Sequence, residues 1–259
     1  MKDLKEYEKF AIETAKEAWE LIKNTGSEIV EMKKGIDFST VADIESEKLI
    51  ISKIKERFPE HAILAEESGE SDTKSDFVWV IDPLDGTKNF KRKIPLFCIS
   101  ISLKYKNEPI VGVIFDPNTD KMYHASKGNG AFVNGNPIRV SDINNLKESY
   151  VCIDISDLDI PNEEKEIELR ILQKFIEESG RIRSYGTMLA ACFIAEGGLE
   201  AYFDPNGTVK ETDFSAAIVL VKEAGGFVSF EKNPINNEKR HLLITNNSVN
   251  EDVFKALKA

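Results

Sequence analysis

Apolar residues recur at Leu4, Tyr7, Ala11, Ala15, Ala18 and Ile22 with charged residues between them, the stripe of a helix predicted over residues 3–23. Asp3 and Glu6 have the spacing of a capping box at its start. Residues 26–40 are polar and broken by glycines, which predicts a hairpin or mobile loop. A second helix is expected over 44–58, stopped by Pro59. The period then becomes that of strands. Short apolar runs at 62–65 and 77–81 precede longer ones at 97–105 and 110–115, where β-branched residues are frequent. Asn134-Gly135 is a strong hairpin signal. Up to residue 140 the chain reads as helices beside an antiparallel sheet.

From residue 150 onward, strands alternate with helices. The run 150–155 precedes a charged helix at 163–178, and 181–184 precedes a helix over 187–196. The run 201–203 leads through a loop to a helix over 213–224, ended by Gly225-Gly226. Two β runs and a terminal helix close the chain. The segment 140–150 is the one plausible boundary, giving halves 1–145 and 146–259. There are no repeats.

The 41% of hydrophobic residues can build a core, so the profile is that of a soluble globular protein. A net charge of −11 argues against nucleic acid held through its backbone. It also sets a problem for any anionic substrate, one that bound divalent cations solve. Cys98, Cys152 and Cys192 are far apart in apolar runs, which suits reduced thiols in the cytoplasm. Residues 1–20 are charged and no apolar stretch approaches 18 residues, so neither a signal peptide nor a membrane span is expected.

Three acidic segments carry the chemistry. In Asp82-Pro83-Leu84-Asp85-Gly86-Thr87, two carboxylates follow a hydrophobic strand across a turn that Pro83 restricts, and Gly86 lets backbone approach a ligand. Such oxygen ligands suit Mg²⁺. By itself the motif is equally well an ordinary turn. Glu66-Glu67-Ser68 ends another short strand, although two adjacent acids alone are usually a solvated loop. Glu211-Thr212-Asp213 precedes an apolar helix, where Thr212 or Asp213 could simply be its N-cap. His61, His124 and His241 lie outside these segments and read as structural or surface residues.

Taken together, these motifs resemble the inositol monophosphatase family. Glu66-Glu67-Ser68, Asp82 to Thr87, and Asp213-Phe214-Ser215-Ala216-Ala217 with Glu223-Ala224-Gly225-Gly226 match its signatures in order and spacing. Ser39-Thr40-Val41-Ala42-Asp43 and Arg183-Ser184-Tyr185-Gly186-Thr187 match two more. The resemblance implies an α+β fold, a layered αβαβα sandwich with the site between its halves. It implies two to three Mg²⁺ ions, replaceable by Mn²⁺, on Glu66, Asp82, Asp85, Asp213 and the Leu84 carbonyl. Asp43 and Thr87 would activate the attacking water. Glu67 would act beside them, supporting a third ion near the mobile loop at 33–40. The backbone of Gly86 and Thr87 would hold phosphate, with Arg183, Gly186, Thr187 and Asp204 toward the substrate. Lithium sensitivity and a homodimer are implied as well. This sequence departs from the family at Thr212, where many members have tryptophan, at Lys88, and in a longer 204–211 loop.

The expected reaction is hydrolysis of a small phosphorylated polyol or sugar by an activated water, without a phosphoenzyme. Inositol-1-phosphate leads, with fructose-1,6-bisphosphate as an added substrate. Hydrolysis of 3′-phosphoadenosine 5′-phosphate is a sibling alternative that the basic run Lys88 to Lys93 would favour. A non-catalytic metal- or phosphate-binding regulator is the alternative from another class.

Overall fold

The stripe at Tyr7, Ala11, Ala15, Ala18 and Ile22 is buried along α1 (Leu4–Ile22) in the computed structural model. The structure describes residues 4–33, 37–71, 73–155, 162–205, 207, 209–232 and 240–257. Asp3, and with it the expected capping box, lies outside the described residues, as do residues 34–36 of the loop. The remainder of that segment is an antiparallel hairpin of β1 (Ile29–Met32) and β2 (Phe38–Thr40). Helix α2 (Val41–Arg57) begins earlier than the pattern suggested, because the Asp43 side chain caps it: Thr40 N donates to Asp43 Oδ2 at 2.8 Å.

The next strands are β3 (Ala62–Ala65), β4 (Gly69–Glu70) and β5 (Phe77–Asp85), followed by the short helix α3 (Thr87–Lys91). Then come β6 (Cys98–Tyr105), β7 (Glu108–Asp116), β8 (Lys121–Ser126), β9 (Ala131–Val133) and β10 (Asn136–Ile138). They form an eight-stranded sheet in the order β10-β9-β8-β7-β6-β5-β3-β4. Asn134 and Gly135 take φ of 49° and 77° in the tight turn joining β9 to β10, as their types require. The sheet is not wholly antiparallel as expected. From β3 the chain folds back on β4 at the edge, then crosses to the other side of β3, so β5 runs parallel to β3.

The second sheet has the order β12-β11-β13-β15-β14. Its strands are β11 (Tyr150–Ile153), β12 (Arg181–Arg183), β13 (Ala201–Asp204), β14 (Phe227–Lys232) and β15 (Arg240–Thr245). The helices of this half are α4 (Asn162–Glu178), α5 (Leu189–Ala195), α6 (Glu211–Glu223) and α7 (Asn250–Leu257). β11 runs parallel to both β12 and β13.

The layers follow the αβαβα order. Helices α1 and α2 cover the outer face of the larger sheet around Trp79, Ile81, Ile99 and Ile101. Helices α5 and α6 fill the space between the sheets, packed on Ile114, Tyr123, Tyr202 and Ile244. Helices α4 and α7 close the far side around Phe175, Phe203 and Val253. α6 lies hard against β7: a Cβ at Gly112 would stand 2.3 Å from the Ala216 carbonyl oxygen, so only glycine fits there. Among the described residues, no helix is long and apolar enough to cross a membrane.

Candidate active site

The parallel pair brings the first two acids together. Ala65 pairs with Ile81, and Glu66 N donates to Ile81 O at 3.1 Å. Glu66 and Asp82 therefore stand side by side where the two strands deliver their carboxyl ends. The segment carrying Asp82 and Asp85 is not the turn after a strand that the sequence suggested. β5 continues through it, with Asp82 opposite Ser100 and Asp85 opposite Cys98, and a register shift between. This bulge accommodates Pro83, which has no N–H for the ladder, and re-aims the flanking side chains. Leu84 N donates to Asp82 Oδ1 at 3.0 Å and fixes that carboxylate.

Thr87 and Asp43, 44 positions apart, meet: Thr87 Oγ1 donates to Asp43 Oδ1 at 2.7 Å and also lies 3.1 Å from Leu84 O. Asp43 is fully buried, with its other oxygen held by the Thr40 N–H and hydroxyl. Burial raises its carboxyl above the ordinary range, against the hydrogen bonds from Thr40 and Thr87. Gly86 precedes α3 at φ 88°, where a Cβ would come within 2.7 Å of Leu96 O.

The fourth acid arrives from the other half of the chain. α6 begins at Glu211, so Asp213 lies within its first turn and accepts from Lys210 N at 2.7 Å and Thr212 Oγ1 at 3.1 Å. Burial, then the charge of Asp85, pushes its carboxyl up to about 7. Asp85 is pushed to about 6 by burial, despite hydrogen bonds from Thr187 Oγ1, Met188 N (2.6 Å) and Cys98 Sγ (3.2 Å). Asp82 rises well above the ordinary range through burial and the charges of Glu66, Asp85 and Asp213. Four clustered carboxylates, Asp82 fully buried among them, thus oppose one another's ionisation. Glu66 alone is held low: burial would raise it, but Lys210 Nζ at 2.9 Å and Lys33 Nζ at 3.5 Å outweigh that. Lys33 also binds Glu67 at 2.7 Å, and burial leaves Glu67 raised.

The donors Glu66, Asp82, Asp85, Asp213 and the Leu84 carbonyl are all hard oxygens, four of them carboxylates in need of a counter-ion, which fits Mg²⁺. Among the described residues, no three acidic, histidine or cysteine side chains are already drawn tightly enough to hold an ion. Two ammonium groups, those of Lys33 and Lys210, lie on Glu66.

The structure adds residues that the sequence reading did not place in the site. Glu47, one turn beyond Asp43 and buried, accepts from Glu67 N at 2.8 Å and Ser68 N at 2.9 Å, and so anchors the loop carrying Glu66 and Glu67. The i, i+4 spacing of Asp43 and Glu47 on one helix was the available signal. Lys210 and Cys98 touch the carboxylates, and neither belongs to a recognisable acidic motif. Gly186 and Thr187 lie next to Asp85 through the contacts of Thr187. Arg183 is engaged elsewhere, with its guanidinium 5.2 Å from the Tyr150 ring centre and Nη1 on Ile182 O. Asp204 is buried and accepts from Val209 N at 3.0 Å. The three cysteines are buried and free. His61 accepts from Trp79 Nε1, and His124 pairs with Glu8, both away from the carboxylates.

A sequence model described as "Inositol monophosphatase family" matches residues 3–258. Fructose-1,6-bisphosphatase/inositol-1-monophosphatase from Aquifex aeolicus is 34% identical over 239 residues, covering 90% of this chain and 89% of that protein. The Nus factor SuhB of Escherichia coli is 35% identical over 228 residues, 85% of this chain and 83% of that one. Among solved structures, the inositol monophosphatase of Anabaena superposes with a TM-score of 0.83 at 30% identity, over 98% of this chain and 96% of the other.

Proposed function

Because this chain belongs to the inositol monophosphatase family, and is with it a phosphatase of phosphate monoesters, we propose that it carries out Mg²⁺-dependent hydrolysis of inositol-1-phosphate or a closely similar polyol phosphate. The observation that carries this reading is the 2.7 Å hydrogen bond from Thr87 to Asp43 beside the opposed carboxylates. A protein that merely binds an anion has no use for a buried hydroxyl–carboxylate relay.

Glu66, Asp82, Asp85, Asp213 and the Leu84 carbonyl would hold Mg²⁺, which when bound supplies the positive charge that neutralises the ester and lowers the pKa of the attacking water. Thr87 accepts a proton from that water through its hydroxyl oxygen and passes its own proton to Asp43 Oδ1. Asp43 can do this because the Thr40 N–H fixes Oδ2, leaving Oδ1 for Thr87. The backbone N–H groups of Gly86 and Thr87 would hold the phosphate oxygens. Glu67 and Lys33 close the side nearest the β1–β2 hairpin. The leaving alcohol departs opposite the water, since phosphoryl transfer is in line.

The test is phosphate release from inositol-1-phosphate, fructose-1,6-bisphosphate and 3′-phosphoadenosine 5′-phosphate, with Mg²⁺, Mn²⁺ or EDTA. Release from inositol-1-phosphate that needs the metal supports the reading; release from none makes the chain a binding protein. Fructose-1,6-bisphosphate is the favoured second substrate, because the Aquifex relative carries both activities in its name. Inhibition by Li⁺, a homodimer and a cytoplasmic location belong to the same proposal and are supported by family membership alone.

A further inference from the structure

The phosphatase reading above is the basis for a statement about the leaving group. Water meets the phosphate at Thr87 and Asp43, so an in-line leaving alcohol lies across the phosphate from them. The segment 186–188 reaches the same site from the second sheet's side of the chain and grips Asp85 through the Thr187 hydroxyl and Met188 N. Behind it three parallel strands end together. Gly186 follows β12, Asp154 follows β11, and Asp204 ends β13. Ligands of parallel strands gather at their carboxyl ends.

Two carboxylates lie on this rim. Ile153 pairs with Phe203, and Asp154 N donates to Phe203 O at 3.1 Å, so Asp154 and Asp204 occupy neighbouring positions in register. They differ in what they offer. Asp204 is 1% exposed and folded onto its own loop through Val209 N. Asp154 is partly exposed. Tyr202 donates its hydroxyl to Asp154 Oδ2 at 2.7 Å, and Gly186 N donates to Oδ1 at 3.1 Å. Each oxygen keeps acceptor capacity beyond these bonds. No cation is among those partners. Arg183, on the adjacent strand, lies over Tyr150. The basic run after the Asp82 motif turns to the β1–β2 side, with Lys91 on Ser27 O at 2.6 Å and Lys88 3.9 Å from Asp37.

We propose that Asp154, clamped by Tyr202 and Gly186 at the carboxyl rim of β11, is a substrate-binding residue that accepts a hydroxyl of the leaving polyol and, through its negative charge, selects against a leaving group bearing a second phosphate.

The experiment uses the full chain with Mg²⁺ and compares wild type, Asp154→Asn and Asp154→Glu on inositol-1-phosphate, fructose-1,6-bisphosphate and p-nitrophenyl phosphate. Asn keeps an acceptor for Gly186 N and removes the charge. KM for inositol-1-phosphate should rise about tenfold, the scale of one hydrogen bond to a charged group. The ratio of kcat/KM for the bisphosphate over inositol-1-phosphate should also rise about tenfold, with p-nitrophenyl phosphate falling less than inositol-1-phosphate. Asp154→Glu should weaken inositol-1-phosphate yet keep the discrimination against the bisphosphate, and it decides the matter if the Asn variant does not fold. Equal losses on all three substrates, or a ratio unmoved within twofold, would make Asp154 a brace for Gly186 and overturn the proposal. A wild-type enzyme active on none of the three is a different failure, that of the phosphatase reading, and the proposal falls with it.

Discussion

Replacing Asp213 with asparagine should make the metal-free protein more stable while stopping catalysis. In the fold this carboxyl moves from its ordinary value of 3.8 to about 7, through burial and then Asp85. A carboxyl raised in this way holds its proton more tightly folded than unfolded, so its ionisation works against folding. The penalty is absent below about pH 4 and complete above about pH 7. At pH 8 it is at most roughly 4 kcal/mol, and the asparagine, still a polar group in the same surroundings, recovers only part of it. The expected gain is therefore about 2 kcal/mol, or about 4–8 °C in Tm for a chain of this size. Asparagine keeps one acceptor for Lys210 N, so the start of α6 survives. The assay is thermal melting of wild type and Asp213→Asn in EDTA at pH 8 and pH 4, repeated with Mg²⁺. The variant should melt higher at pH 8 and nearly level with wild type at pH 4. Mg²⁺ should stabilise the wild type more than the variant. An Asp213→Asn protein that melts below wild type at pH 8 in EDTA would refute the idea of a strained carboxylate cluster.

Three further outcomes are expected. Activity should vanish on exhaustive chelation and return with Mg²⁺ or Mn²⁺, because every proposed donor is oxygen; full turnover in EDTA would contradict this. Thr87→Ala and Asp43→Ala should each lower kcat by about 10²–10⁴-fold with little change in KM, and the double variant should be little worse than either, since the two share one hydrogen bond. Multiplicative losses would separate them. Gly112→Ala should lower Tm and also reduce activity, because the added methyl meets the Ala216 carbonyl and must displace the helix that carries Asp213; normal Tm would mean α6 is free to shift.

Much of this was legible in the chain. The α1 stripe, the Asn134-Gly135 turn and the alternation after residue 150 all correspond to observed elements, since each is set by local periodicity or turn chemistry. The misreadings share a cause. Helix starts at 41 and 211 were placed late because the capping acids Asp43 and Asp213 lie inside the helices, where a polar residue looks like loop. The 82–85 segment looked like a turn because proline and glycine favour turns, yet its pairing with β6 continues, and pairing partners are remote in sequence. The parallel β3–β5 pair depends on a crossover that no local pattern encodes. Within the site, the acidic motifs stood out by composition. Glu47 and Asp154 did not, because a single acid gains its role only from the backbone N–H groups that reach it.

Asp43 and Asp213 share an arrangement whose consequence is experimental. Each gives Oδ2 to the N–H that starts its own helix, leaving Oδ1 for a threonine hydroxyl. In an asparagine at either position, the main chain would choose the orientation of the amide. Its oxygen must meet the helix N–H, so its NH₂ must turn toward the threonine. An acceptor would become a donor at one known point, while the scaffold bond persists. At these two positions a single isosteric change can therefore separate what the acid does for the architecture from what it does in the site.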